Sequence, residues 1–279
     1  MGKVAAIQMT SSHIVAENLA AAGKLLREAK DSGAEIACLP ENFSFLGMRD
    51  ADKLSVAEAD GEGPVQAFLR DTAARLKLWI LAGTICIRGD ADGRTANASL
   101  LFDDAGRRVA RYDKIHLFDV TIPGRDEQYR ESSHVVPGRK VVIADTPVGK
   151  LGLSVCYDMR FPELYRDLVL QGAEWLAMPA AFTVPTGRAH WETLLRARAI
   201  ENLCYVVAPA QVGTHTNGRE TYGDSLIVDY WGQVLARLAK GVGVITAEFD
   251  LAKLADTRTR FPALANRQLG IPTRAAVLT

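Results

Sequence analysis

Short apolar runs alternate along the chain with longer stretches in which apolar positions recur every three or four residues, the pattern of strands alternating with amphipathic helices. KVAAIQM (3–9) reads as a buried strand, and the next segment places Val15, Leu19, Ala22, Leu26 and Ala29 on one helical stripe ended by Gly33. AEIACLP is then a second buried strand. Residues 64–77 are predicted helical, opened by Pro64 at a first-turn position, and LWILAGTICI (78–87) follows as one strand. This rhythm predicts an α/β fold. From 97 to 111 two strands joined by a turn at Asp104-Ala105-Gly106 break the parallel pattern, and residues 112–140, with no helical period and with Pro123, Gly124, Pro137 and Gly138, read as a long functional loop. KVVIADT and KLGLSVC are strands, a helix starts at Pro162, and a helix over 188–202 carries Trp191, Leu194, Leu195 and Ala199 on one face, with Arg196, Arg198 and Glu201 as polar neighbours. LCYVVAPA, DSLIVDYWGQVLARL, turning at Trp231-Gly232, and VGVITAEFD supply further strands. No boundary is visible, so 1–279 reads as a single domain.

REAKDSGAEIACLPE (27–41) aligns without gaps to RDLVLQGAEWLAMPA (166–180). Both read as helix end, Gly, Ala-Glu, apolar strand and Pro, which predicts two related units in a pseudo-symmetric sandwich. After the two prolines the halves differ: Glu41 stands in one and Ala180 in the other.

Composition narrows the partners. The 33 Lys and Arg balance the 33 Asp and Glu and are interspersed, so no footprint for nucleic acid or anionic membrane is present and a small-molecule ligand is expected. The N-terminal apolar run is too short for a signal core and Gln8 interrupts it, and no window approaches a membrane span, so a soluble, cytoplasmic protein is expected. Cys38, Cys86, Cys156 and Cys204 are far apart, without a C-x-x-C pair or clustered His, which signals neither a zinc site nor a redox dithiol. Asn97-Ala98-Ser99 matches a glycosylation sequon that carries no meaning without a secretory signal.

Three of the cysteines sit inside apolar strands and read as inert thiols. Cys156 differs. It closes an apolar strand just before YDMRFPE, an elbow where a thiol stands exposed at a sheet edge and where amides and cations favour its thiolate. On this pattern alone it is either a nucleophile or a core cysteine. Glu41, after a strand and a proline that forces the chain out of the sheet, is either a base at the same rim or a solvated loop acid. Lys114, in RYDKIHLFD, is either an active-site cation or a snorkelling strand lysine.

Taken together, Glu in LPENF, Lys in YDKIHLFD and Cys in VCYDMRFPELYR resemble the nitrilase superfamily of carbon-nitrogen hydrolases, over nearly the whole chain. The resemblance implies a four-layer αββα sandwich and protomers paired as a homodimer or higher oligomer, with no metal or other cofactor. It further implies Glu41 as general base, Cys156 as the nucleophile of a thioester acyl-enzyme, and Lys114 with the Tyr157 backbone N–H as oxyanion stabilisers. Glu131, in YRESSHVVPG, is implied as the acid that orients Lys114 and the substrate nitrogen, ahead of the nearby Glu127.

KIHLFDVTIPG and TGRAHWETLLRARAIEN resemble the Nit branch, whose members are amidases acting on 2-oxo acid ω-amides and on deaminated glutathione. That implies a pocket lined by Phe182 and Thr186, with Arg160 pairing an α-keto carboxylate; the alternative for Arg160 is a structural ion pair at a helix start. The small-molecule amide expected first is deaminated glutathione, with 2-oxoglutaramate or an N-carbamoyl amino acid as alternatives, and an idle scaffold as the contrasting class. Arg188, Asp224 and Tyr230 depart from the branch pattern and are expected to bear on the pocket rim.

Overall fold

The computed structural model describes residues 1–89, 93–124 and 127–269. A first run comprises β1 (Gly2–Gln8), α1 (Val15–Asp31), β2 (Ile36–Cys38), α2 (Pro64–Leu76) and β3 (Trp79–Leu81), followed by β4 (Ile85–Arg88), β5 (Thr95–Phe102) and β6 (Arg108–Asp113). A small hairpin, β7 (Asp119–Thr121) with β8 (Gln128–Arg130), and β9 (Ile143–Thr146) lead into a second run: β10 (Gly149–Leu153), α3 (Pro162–Leu170), β11 (Trp175–Ala177), α4 (Val184–Asn202) and β12 (Tyr205–Ala208). The chain continues through β13 (Val212–Thr214), β14 (Glu220–Tyr222), β15 (Ser225–Val228), β16 (Val234–Leu238), β17 (Gly243–Phe249) and α5 (Leu251–Arg260).

Two sheets form the centre, ordered β17-β1-β2-β3-β5-β4, with β6 also on β5, and β16-β15-β12-β11-β10-β9. Strand alternation sorts the side chains into layers. Val4, Ala6, Ile36, Cys38 and Leu101 of the first sheet share a core with Leu151, Leu153, Trp175 and Ala177 of the second, whereas Ala5, Ile7, Ala37 and Leu39 pack with α1 and α2. On the far side, Gly152 of β10 lies under Leu168 of α3. The result is the expected four-layer αββα sandwich.

The internal repeat is structural. In the first run the Glu35 N–H donates to Lys3 O, the Lys3 N–H donates to Glu35 Oε1 and the Trp79 N–H donates to Glu35 O. In the second run Glu174 makes the same three bonds with Lys150 and Tyr205. Each run thus lays down three parallel strands by the same device.

The strand expected over 78–87 is broken in two. Leu81 faces Leu101 and Ile85 faces Ala98, so four steps on one strand span three on β5, a bulge of one residue. Gly83 at its centre has φ +54, and a Cβ there would lie 2.0 Å from the Pro40 carbonyl oxygen, so the bulge admits the chain leaving β2 at Leu39-Pro40-Glu41. Within 112–140 the structure adds β7 and β8, strands of three residues with exposed and half-buried positions and no apolar alternation. The helix expected from 188 begins at Val184, its first turn holding Pro185, and Arg198, expected as a polar neighbour, is buried. Residues 270–279 lie outside the described residues; among these, no helix is long and apolar enough to cross a membrane.

Candidate active site

Four chain segments converge where the two runs meet. Glu41 follows β2, held by the Asn42 N–H, which donates to Thr84 Oγ1 (2.8 Å) beside the bulge. Lys114 follows β6, its N–H donating to Asn97 O. Glu131 opens a short 3-10 turn after β8, and Cys156 opens another after β10. The thiol, the lysine and the two glutamates form one buried cluster.

Lys114, 2% exposed, donates from Nζ to Glu41 Oε1 (3.0 Å) and Glu131 Oε2 (2.8 Å). A snorkelling lysine is therefore excluded. Burial alone would pull its ammonium down, but the charges of Glu131 and Glu41 hold it well above the usual lysine range. Burial likewise opposes ionisation of Glu131, yet Lys114 and Lys53 bring its carboxyl to about 2. The Phe118 N–H adds a bond to Glu131 Oε2 (2.7 Å). Glu41 is buried rather than solvated, and its second oxygen accepts from the Ala181 N–H (3.0 Å).

Cys156 corrects part of the sequence reading. It is 8% exposed, and its thiol is raised well above the ordinary range, first by burial and then by the charge and hydrogen bond of Glu41, with Lys114 offsetting only part. With the thiol held up in this way, its proton must pass to a base before the sulfur attacks. Glu41 stands in position to take it. The Cys156 backbone has φ +51, a left-handed conformation uncommon outside glycine, and its N–H donates to Pro179 O (2.9 Å). Tyr157, next in the turn, makes no hydrogen bond through its N–H among the described residues. The other three cysteines are buried, with burial raising each thiol, Cys204 to about 12.

Two positioning residues were not singled out from sequence. Asn97 Nδ2 bridges Glu41 Oε1 and Glu131 Oε1, 3.1 Å from each. The dismissed sequon holds both acids, and its signal was an amide inside the apolar strand TANASLLF. Asp158, fully buried, accepts from Tyr112 Oη (2.7 Å), the His116 N–H (3.0 Å) and the Val155 N–H (2.8 Å), tying the Lys114 segment to the Cys156 turn.

A cleft opens onto this cluster, lined by Glu41, Lys114, Glu131 and Cys156. Over 3–259 the chain matches the carbon-nitrogen hydrolase family, and Glu41, Lys114 and Cys156 all fall within that span. The chain belongs to this family. This carbon-nitrogen hydrolase is 45% identical over 267 residues to deaminated glutathione amidase of Synechocystis sp., covering 94% of this chain and 97% of the relative. It is 41% identical over 266 residues to the deaminated glutathione amidase of Yersinia enterocolitica, covering 95% and 92%. The solved structure of Saccharomyces cerevisiae Nit3, a member of branch 10 of the nitrilase superfamily, superposes with a TM-score of 0.86 at 29% identity and covers 97% of both chains. The protein is a hydrolase acting on carbon-nitrogen bonds other than peptide bonds.

In this carbon-nitrogen hydrolase Tyr157, Phe182 and Thr186 line the cleft as expected, and Thr186 Oγ1 lies 2.8 Å from Thr183 Oγ1. Arg160 does not line it. Its guanidinium lies over the Tyr157 and Phe182 rings, 5.9 and 5.6 Å from their centroids, with His190 Nδ1 at 3.3 Å. It forms no ion pair among the described residues. Glu127 binds Tyr129 Oη (3.2 Å), and Glu131 is the acid at Lys114. The departures expected at the rim lie elsewhere: Arg188 is exposed and outside the cleft lining, Asp224 is paired with Arg237 (2.7 Å), and Tyr230 packs edge-on against Tyr205.

Proposed function

We propose that the protein is a cysteine-dependent amidase that hydrolyses deaminated glutathione to 2-oxoglutarate and cysteinylglycine through a thioester. The observation carrying this reading is the single buried cluster of Cys156, Glu41, Lys114 and Glu131, in a chain whose relatives from Synechocystis and Yersinia bear the name deaminated glutathione amidase. Cys156 Sγ attacks the amide carbonyl while Glu41 takes its proton, and the negative oxygen is met by Lys114 Nζ and the Tyr157 N–H. The C–N bond breaks as Glu41 returns the proton to the leaving nitrogen. Glu41 then draws a proton from water, whose oxygen displaces sulfur and releases the acyl group as the acid, and Glu41 returns that proton to Cys156 Sγ. Glu131 orients Lys114 and the scissile nitrogen.

The α-keto carboxylate is assigned to Arg160 with Thr186. Arg160, which forms no ion pair among the described residues, sets its guanidinium over two rings that wall the cleft. Arg160→Ala is expected to raise KM for α-keto acid amides far more than for uncharged short amides; equal effects on both would remove the assignment.

Release of 2-oxoglutarate and ammonia from deaminated glutathione and 2-oxoglutaramate, measured side by side with Cys156→Ala as control, tests the reading. Faster Cys156-dependent release from the peptide, without ammonia, is expected. Preference for the small amide would make the protein an ω-amidase. No turnover of either would overturn both assignments.

A further inference from the structure

Lys114 spends its charge on two carboxylates, yet two more cations line the same cleft. Lys53 comes from the 3-10 turn Asp50–Val56, and Arg219 from the residue just before β14. Neither forms an ion pair among the described residues. Arg219 Nη2 donates to Ala181 O (3.1 Å), its guanidinium lies 5.2 Å from the Tyr129 ring centroid, and its Nε is buried without a hydrogen-bond partner. Lys53 makes no side-chain hydrogen bond among the described residues. Asp50, exposed and three residues from Lys53, is the one carboxylate lining the cleft besides Glu41 and Glu131. With Lys114 the lining holds three cations against the carboxylates of Glu41, Asp50 and Glu131, so its charge is balanced, and it is the buried, unpartnered Nε of Arg219 that an anionic ligand group would satisfy.

We propose that Lys53 and Arg219 bind the terminal carboxylate of the leaving group. This inference rests on the amidase reading above and extends it to the far end of the substrate. Lys53 lines the same cleft as Glu131, the acid assigned to the scissile nitrogen. Arg160, assigned to the acyl carboxylate, lies instead over Tyr157 and Phe182. Arg160, over two rings of the cleft wall, and Lys53 with Arg219, in its lining, thus offer cations for two carboxylates. A peptide-like amide carries both, whereas a primary ω-amide of the same acyl group lacks the second.

Kinetics on deaminated glutathione and 2-oxoglutaramate, which share an acyl group, separate the two ends. Lys53→Met and Arg219→Gln, the latter keeping a donor for Ala181 O, should each lower the ratio of kcat/KM for the peptide to that for the small amide about tenfold or more, mainly through KM. An unchanged ratio overturns the assignment. Arg219 acting only through Ala181 and Glu41 would instead depress kcat on both substrates equally. If the wild type prefers the small amide, the clamp falls and the amidase reading stands. If it hydrolyses neither, the amidase reading falls, and calorimetric binding of cysteinylglycine decides the clamp: weaker binding by Lys53→Met than by wild type supports it, and equal or absent binding overturns it.

Discussion

Glu41 divides its two oxygens between Lys114 with Asn97 on one side and the Ala181 N–H on the other, which fixes the carboxylate against the Cys156 thiol. Because burial and the Glu41 charge hold the Cys156 thiol well above its ordinary range, removal of its proton by the base opens the reaction. Glu41→Gln keeps the shape and removes the base, and kcat is expected to fall by about 10²–10⁴-fold. Steady-state kinetics check this, and a variant within a few-fold of wild type would contradict it. Glu41, Lys114 and Cys156 each stayed open on position alone, and it was the joint resemblance of LPENF, YDKIHLFD and VCYDMRFPELYR to one family that made them legible. Asn97 was not, since an amide in a strand advertises no chemistry until its partners are known. Lys53 and Arg219 sit in turns whose sequences carry no periodic pattern, and only the fold brings them to the cleft.

At the scale of elements, the alternation of strands and helices was readable because each buries an apolar face of the right period. The break between β3 and β4 was not, because its cause lies 43 residues upstream of Gly83, in the carbonyl of Pro40. Gly83→Ala is expected to cost at least about 1–2 kcal/mol from the left-handed backbone alone. The added methyl would also push Pro40 and its neighbour Glu41, so activity should fall with stability. Denaturant titration and kcat on the same preparation test this, and unchanged values in both would contradict it. The hairpin of β7 and β8 escaped sequence reading for another reason: its three-residue strands serve to bring Phe118 and Glu131 to Lys114, and bury little.

For the whole molecule, the short repeat around Gly33 and Gly172 foretold a pseudo-symmetric sandwich, and the matched Glu35 and Glu174 bonds give that symmetry a physical basis. The site itself is asymmetric, since Glu41 and Ala180 occupy equivalent places. The buried charges also couple the site to global stability. The folded Glu131 carboxyl, at about 2, lies below the ~4.3 of an unfolded glutamate, so its contribution is full above the unfolded value and is lost as pH falls through the folded one. Urea midpoints are expected to drop between about pH 5 and pH 2, and Glu131→Gln, which does not titrate there, should flatten that slope. Identical slopes would contradict the Lys114–Glu131 pairing.

The most direct test of the central claim is rapid-quench mass spectrometry of the enzyme mixed with deaminated glutathione. A transient 2-oxoglutaryl adduct is expected on the Cys156 peptide alone, absent from Cys156→Ala. Turnover with no adduct at any time point, an adduct on another residue, or undiminished turnover by Cys156→Ala would contradict it.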